Sequence, residues 1–461
     1  MAVISYWFLS PSVILALLGK LKGWDRTKPT PAFDWKTATL DVVIPAKNEE
    51  SSIALCLASL FDQDFRIRRV IVIDDASTDR TAEVVRRYVE LSGKEVNLIV
   101  RTQSQGKTTG VREQCENSNA DALLVLDADT VLASRNYASR LAEDLFKNAG
   151  VASACGEVSP LTRGRRRTII KTNPVLARVQ SELGPEPGGA AGRLQRLLEW
   201  AAIVYRASLY IFLQRILYDG QMKMYGSRLN PSGCAVAYRA QRLRECFAYA
   251  GPQMGDNLTN SEDVFIGHFF TWRGWRNIQV SDVRCESIEP SIERLPHQIY
   301  LWSSSFLQAL YYFSELPLSP FKKIKKWTVG LVSKRPHVPT GAFQRRIQEQ
   351  YRAPWGEAYT RQFGRGMGWV DLLALFEKVS YPAILLFFVF YSHEAFWITV
   401  GLEAAVATTG VFFVADSGRR WAFAGMMLAA TPIRLLSVGL DLVTTLRYLF
   451  DLATGNRNWR K

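Results

Sequence analysis

Two carboxylates, Asp127 and Asp129, stand one residue apart after the apolar run 123–126. An apolar run of this length is typical of a buried strand. Side chains alternate along a strand, so both carboxylates would point the same way from its carboxyl end, where open α/β sheets bind ligands. Such a pair suits a hard divalent cation that also holds a diphosphate. Taken alone, however, two such residues are more often a solvated strand end.

Three further polar segments follow predicted strands of the same region. The pattern predicts strands at 40–44, 70–73, 96–100 and 122–126, with helices between them. Strand–helix–strand alternation at this spacing predicts a parallel sheet. Its carboxyl edge would collect the polar segments 45–49, 74–75 and 105–107 beside Asp127 and Asp129. The convergence of four polar loops favours a binding site over a solvated strand end.

The composition favours a membrane protein. The chain has 461 residues and a formal net charge of +14, and its apolar residues concentrate near the C-terminus. The stretches 379–391, 396–415 and 421–440 resemble membrane segments, and the last contains Pro432, a candidate kink. The basic charge therefore fits an anionic membrane surface or an acidic substrate better than nucleic acid. The six scattered cysteines fit a reducing compartment.

Three regions are expected from these patterns. Residues 1–36 would hold an N-terminal membrane segment and linker, and 37–360 a cytoplasmic α/β domain. Residues 361–461 would form a C-terminal transmembrane region with basic, cytoplasmic flanks. The apolar but charged stretches 194–217 and 299–313 predict amphipathic helices at the membrane or domain surface.

An ordered series of motifs resembles the family 2 glycosyltransferases, specifically the membrane-integrated synthases of hyaluronan, chitin, cellulose and poly-N-acetylglucosamine. The series runs Val-Ile-Pro-Ala-Lys-Asn-Glu (43–49), Ile-Asp-Asp-Ala-Ser-Thr-Asp (73–79), Gly-Lys (106–107), Leu-Asp-Ala-Asp-Thr (126–130), Ser-Gly-Cys-Ala-Val-Ala-Tyr-Arg (232–239) and Ser-Glu-Asp (261–263). The resemblance covers about residues 40–461. It implies a Rossmann-like GT-A glycosyltransferase domain that binds a UDP-sugar and Mg²⁺ or Mn²⁺.

The resemblance also implies roles for the residues at the sheet edge. Asp127 and Asp129 would hold the metal and, through it, the donor diphosphate, and Asp75 would contact the uracil base. Donor contacts are implied for Pro45, Ala46, Asn48, Glu49, Asp75, Lys107 and Asp127. Judged by position alone, Asp75 could instead be a charge at a helix N-terminus, and Lys107 an ordinary residue of a first helical turn.

On the acceptor side, Asp263 matches the family's catalytic aspartate. An inverting transfer needs one general base that takes the proton of the attacking hydroxyl. Asp263 could also be an ordinary residue of a first helical turn, and Asp256 competes as the base. Acceptor contacts are implied for Ser232, Gly233, Glu262, Gln298 and Trp302, with the Trp302 ring as a floor for the sugar.

One family motif, Gln-x-x-Arg-Trp, is incomplete between Gln298 and Trp302, because Leu301 replaces the arginine. A guanidinium suits a diphosphate well, so this substitution puts diphosphate clamping and chain elongation in doubt. Arg365, in a partial second match, or a lysine of the basic run 322–326 could supply the missing charge.

These observations predict an inverting glycosyltransferase that moves a sugar from a UDP-sugar to an acceptor sugar hydroxyl. We expect a multi-pass protein of the cell membrane whose catalytic domain is cytoplasmic. A polysaccharide synthase is the first hypothesis. Transfer of a single sugar to a lipid acceptor, favoured by Leu301, and an inactive membrane scaffold are the alternatives. No nucleic-acid-binding module is recognisable. The sugar, the acceptor (polysaccharide or glycolipid) and any protein partner are not fixed by the sequence.

Overall fold

The computed structural model describes residues 7–22, 34–147, 150–183, 192–254, 261–322, 324 and 356–455. Asp256, the competing candidate for the base, lies outside the described residues. So do three of the five positions of the basic run, 323, 325 and 326.

The described residues contain an eight-stranded sheet of order β3-β2-β1-β4-β7-β6-β8-β5. Its strands are β1 Leu40–Ala46, β2 Ile67–Asp74, β3 Asn97–Val100, β4 Ala122–Leu126, β5 Thr130–Leu132, β6 Val151–Pro160, β7 Ala235–Arg239 and β8 Arg276–Ser287. The first four strands pair in parallel, which confirms the predicted α/β sheet. Strand β7 runs antiparallel to β4, and Ala235 pairs with Leu126. The turn before β7 therefore reaches the same edge as the loop after β4.

Helices cover both faces of this sheet because its central strands are apolar on both sides. Val42, Ile44 and Leu124 face one buried core, and Val43 and Leu123 face another. The helices up to residue 312 are α1 Pro11–Lys22, α2 Ile53–Phe61, α3 Thr81–Ser92, α4 Lys107–Asn117, α5 Tyr137–Lys147, α6 Arg163–Thr172, α7 Pro174–Leu183, α8 Arg193–Phe212, α9 Asp219–Tyr225, α10 Ala240–Met254, α11 Glu262–Arg273 and α12 Leu295–Tyr312.

Both stretches predicted as amphipathic surface helices are helical, but much of each is buried. Helix α8 is exposed over its first turns, and most of its side chains are buried from Ala202 onward. Helix α12 is buried from Ser303 to Leu310. Arg206, in the buried part of α8, therefore has protein partners rather than water, as described below.

The C-terminal region is helical. It contains α13 Gly356–Phe363, α14 Gly368–Tyr391, α15 His393–Val414, α16 Arg420–Ala429 and α17 Thr431–Ala453. Within the described part of the chain, α14 and α15 are each long and apolar enough to cross a membrane, and residues 417–429 with α17 form a third candidate, bent by 50°. The bend lies just before Pro432, where the sequence predicts an interruption. Helix α1 has 12 residues, fewer than the about 20 that a span requires.

Candidate active site

Lys107 joins the predicted donor and acceptor parts of the site. It is the first residue of α4, and its Nζ lies 2.7 Å from Asp127 Oδ1 and 2.7 Å from Glu262 Oε1. The same ammonium donates to the carbonyl oxygen of Gly233 at 3.3 Å. Burial lowers the pKa of Lys107, but the two carboxylates outweigh burial and raise this pKa well above its usual value. One permanent positive charge thus holds the loop after β4, the turn before β7 and the start of α11 together.

Three carboxylates share the sheet edge beside this lysine. Burial raises the pKa of Asp127; Lys107 opposes this shift, and the nearby Glu262 adds to it. Burial also raises the pKa of Asp129 well above its usual value, and the charges of Asp127 and Glu49 contribute. The pKa of Glu49 is raised by burial and by Asp127. Each carboxylate makes ionisation of the next less favourable, which indicates a place where a cation would be stabilised.

The pair Asp127 and Asp129 fits a divalent cation that arrives with a diphosphate. Among the residues described in the structure, no group of three or more His, Cys, Asp or Glu side chains is placed to hold a metal ion. Magnesium, however, is usually held by one or two carboxylates together with substrate phosphates and water. Two carboxylates on one edge meet that requirement. The metal role of both residues remains a prediction.

Asp75 is enclosed by the loop between β3 and α4. Its Oδ1 accepts from Arg101 Nη1 at 3.0 Å and from the Gln105 amide at 2.9 Å. Its Oδ2 accepts from Ser104 Oγ at 2.6 Å and from the Gly106 amide at 2.9 Å. Burial raises the pKa of this carboxyl, but these four donors outweigh burial and lower the pKa to about 2. Asp75 therefore fixes the conformation of the loop that precedes Lys107. To contact a uracil base directly, Asp75 would have to replace one of these four hydrogen bonds with a hydrogen bond to the base.

The loop after β1 is fixed to the loop after β2 by Asn48. Its backbone amide donates to Ser77 Oγ at 2.9 Å, and its side-chain oxygen accepts from the Thr78 amide at 2.8 Å. Asn48 has a φ of +59°, a left-handed conformation that asparagine adopts more readily than most residues. Pro45 and Ala46 are the last two residues of β1, and Lys47 separates them from Asn48. Asn48 thus holds the shape of the predicted donor edge.

Asp263 lies against the turn that precedes β7. A Cβ atom at Gly233 would be 2.8 Å from Asp263 Cγ and 2.9 Å from its Oδ2, so only glycine permits this approach. Ser232, in the same turn, is buried, and its hydroxyl accepts from Arg228 Nη2 at 3.3 Å. Ser261, directly before α11, has a φ of +45°, a strained backbone of the kind that clusters at functional sites.

Gln298 and Trp302 both contact Arg206 of α8. The guanidinium donates to Gln298 Oε1 and lies 4.2 Å from the centroid of the Trp302 ring. Its Nε lies 3.4 Å from Glu289 Oε2. One face of the Trp302 ring is therefore covered by a guanidinium and is closed to a sugar.

Arg206 is a residue that the sequence interpretation missed. It lies 92 residues before Gln298, and the available signal was only a charge inside an apolar helix. Of the candidates considered for the missing charge, the two that the structure describes, Arg365 and Lys322, contact other parts of the chain. Arg365 donates to Thr360 Oγ1 at 2.8 Å and packs against Gly274, at the end of α11. Lys322 donates to backbone carbonyls of α13. The guanidinium beside Gln298 and Trp302 comes from α8 instead.

Comparison with known proteins identifies the family of this α/β domain. Residues 41–196 match the family model described as glycosyl transferase family 2. An N-acetylglucosaminyltransferase of Rhizobium leguminosarum bv. viciae is 31% identical over 134 residues, which are 28% of this chain and 31% of that protein. The human dolichyl-phosphate beta-glucosyltransferase is 32% identical over 117 residues, which are 23% of this chain and 36% of that protein. The chain thus spans about a third of the length of these relatives.

A similar solved structure is the mannosyltransferase PcManGT from Pyrobaculum calidifontis, determined with GDP-Man and Mn²⁺. It is 16% identical, the alignment covers 94% of both chains, and the TM-score is 0.46. Similarity at this level carries no inference about activity. The family match falls on the parallel strands and their polar loops, including Asp75, Lys107, Asp127 and Asp129. Residues 41–196 are therefore a glycosyl transferase family 2 domain, and apolar helices follow this domain in the chain.

Proposed function

We propose that this enzyme transfers a sugar from a UDP-sugar to an acceptor hydroxyl, with inversion at the anomeric carbon. The observation that carries the proposal is the contact of Lys107 with both Asp127 and Glu262 at 2.7 Å. Asp127 belongs to the predicted metal–diphosphate pair, and Glu262 is the neighbour of the predicted base. A single site would therefore hold the donor beside the residue that activates the acceptor.

On the donor side, Asp127 and Asp129 would hold Mg²⁺ or Mn²⁺. When bound, such a cation neutralises the negative charge that develops on the leaving diphosphate. Lys107 lies at the same edge and carries a charge that does not depend on a metal. The loop fixed by Asp75 sets the position of this lysine. The donor contacts of Pro45, Ala46, Asn48 and Glu49 remain part of the proposal.

On the acceptor side, Asp263 is assigned as the general base. One oxygen of Glu262 is engaged by the Lys107 ammonium at 2.7 Å. Asp263 is turned toward Gly233 instead, and a carboxylate oxygen there would take the proton of the acceptor hydroxyl as it attacks the anomeric carbon. Gly233 has no side chain, which leaves room for the carboxylate. Ser232 would line the same side of the pocket.

UDP-N-acetylglucosamine is the first donor to test, because several curated relatives bear the name N-acetylglucosaminyltransferase. For the acceptor, a membrane polysaccharide synthase remains the first candidate. Helices α14 and α15 would then anchor the domain at the cytoplasmic face of the cell membrane, beside the path of the product.

Transfer of one sugar to a lipid acceptor is the second candidate, and the surroundings of Trp302 favour it. Gln298 and one face of the Trp302 ring are engaged by Arg206, so the predicted floor for a growing sugar chain is partly closed. Three of the relatives carry names that include a lipid phosphate, dolichyl-phosphate in one and undecaprenyl-phosphate in two.

The test is UDP release by the full chain in detergent or nanodiscs, with common UDP-sugars and either Mg²⁺ or Mn²⁺. We expect release with at least one donor and loss of release with EDTA. Absence of UDP release with every donor and metal would favour the inactive scaffold. Sizing of the product from a radiolabelled donor separates the two acceptors, because a single-sugar glycolipid excludes the synthase.

A further inference from the structure

The helix that carries Asp263 is joined to the apolar helix α14 by a buried contact. His268 of α11 and Asp371 of α14 are both fully buried, and His268 Nε2 lies 3.2 Å from Asp371 Oδ1. The other ring nitrogen, Nδ1, lies 2.8 Å from the carbonyl oxygen of Val264. His268 thus lies between the Asp371 carboxylate of α14 and the backbone of the residue that follows Asp263.

The helix that carries Gln298 and Trp302 is joined to α14 in the same way. Lys378 of α14 lies 2.6 Å from Asp441 Oδ2 of α17, and its side chain is fully buried. Ser303, the residue after Trp302, donates from its hydroxyl to Asp441 and accepts from Lys378. Ionised residues among apolar helices are costly and usually have a functional reason.

Asp371 and Lys378 share one face of α14, because seven residues make about two turns of an α-helix. The start of this helix also packs closely on the chain after α12, since a Cβ at Gly368 would be 2.0 Å from the Leu316 carbonyl oxygen. One rigid helix thus contacts both acceptor-side helices at points about 10 Å apart along its axis.

We propose that α14 is a positioning element of the active site, in which Asp371 and Lys378 fix α11 relative to α12. The distance between the base on α11 and the acceptor-contacting residues on α12 is then set by an apolar helix rather than by the sheet. This inference rests on the proposed function, because it concerns the acceptor half of that site. The predicted donor residues lie at the end of β1, in the loops after β1, β2 and β4, and at the start of α4. Their contacts with UDP are therefore expected to be independent of α14.

The experiment compares Asp371→Asn and Lys378→Met with a matched control in the full-length protein. Glu403→Gln is the control, because Glu403 forms a similarly buried pair with Arg434 and accepts from the Phe8 amide. Those partners lie on α17 and before α1. Three quantities are measured: UDP affinity, kcat and KM for transfer, and hydrogen exchange of peptides from α11 and α12.

We expect both α14 variants to lower kcat at least tenfold and to keep UDP affinity within about twofold. Amide exchange in residues 262–273 should rise in Asp371→Asn, and exchange in 295–312 should rise in Lys378→Met. The Glu403→Gln control should leave kcat and both segments unchanged. The proposal would be overturned if the α14 variants had the kcat of the wild type and the same hydrogen exchange in α11 and α12.

A double variant separates positioning from simple loss of stability. Replacement of both members of a buried ion pair by apolar residues often restores stability. We therefore expect Lys378→Met/Asp441→Leu to regain the melting temperature of the wild type while kcat stays low. Recovery of kcat together with stability would overturn the positioning role. Absence of transfer activity in the wild type would refute the proposed function. Hydrogen exchange needs no substrate, so the exchange comparison of the α14 variants would still test the positioning role.

Discussion

Replacement of Asp75 by asparagine should weaken both the fold and UDP binding. Its carboxylate accepts four hydrogen bonds from the loop that leads to Lys107. The fall of its pKa from the ordinary 3.8 to about 2 corresponds to about 2 kcal/mol of stability at neutral pH. An asparagine would direct an N–H₂ group at some of these donors and lose most of that contribution. We expect a melting temperature lower by a few degrees.

Asp41→Asn is the matched control for this variant. Burial raises the pKa of Asp41, but Arg68, Arg69 and Ser118 outweigh it and lower this pKa to about 2 as well. Asp41 lies near the start of β1, at the opposite edge of the sheet from the site. Both variants should therefore lose about 2 kcal/mol of stability. Only Asp75→Asn should weaken UDP binding, about tenfold, as measured by isothermal calorimetry in nanodiscs.

The sign of the pH dependence follows from the lowered pKa values. A carboxyl whose pKa is lower in the folded state stabilises the protein above the unfolded pKa, near pH 4. That contribution to stability is lost as the pH falls from about 4 to about 2. In each asparagine variant, stability should therefore fall less over this pH range than in the wild type. Equal UDP affinities of Asp75→Asn and Asp41→Asn would refute the argument that Asp75 supports the donor site through its loop.

Two further variants test the contacts around Lys107 and Asp263. Lys107→Met should lower kcat/KM by about 10²- to 10³-fold, because it removes the charge between Asp127 and Glu262. Steady-state kinetics at saturating metal measure this loss. A loss of kcat/KM below fivefold would contradict the proposed role of Lys107. Gly233→Ala should lower kcat by about 10- to 100-fold with unchanged UDP affinity, since its methyl group would displace the Asp263 carboxylate. An unchanged kcat in this variant would place the reacting carboxylate elsewhere.

The sequence predicts the sheet well because its signals are local. Apolar runs of four or five residues, each followed by polar loops, are enough to predict parallel strands and their common edge. The proximity of Lys107 to Asp127 follows from that topology, since both follow strands of one parallel sheet. The approach of Glu262 to the same lysine is indicated by the family motifs rather than by any local pattern.

The contacts that the sequence did not predict are between elements distant along the chain. Arg206 reaches Gln298 and Trp302 only because α8 packs against α12, and no periodic pattern encodes that packing. The four bonds to Asp75 depend on the path of a loop, since two of them come from backbone amides. Asp371 and Lys378 precede the apolar stretch 379–391 predicted from the sequence, because the helix begins earlier, at Gly368, and so neither residue nor its partners could be recognised.

Asp263→Asn tests the proposed mechanism at its base, with turnover measured as UDP release and sugar transfer and UDP affinity determined in parallel. We expect metal-dependent turnover by the wild type. In the variant we expect UDP affinity within about twofold of the wild type and a fall in kcat of at least about 100-fold, the range expected for loss of a general base. Full transfer activity of Asp263→Asn at normal UDP affinity would exclude Asp263 as the base and direct attention to Asp256.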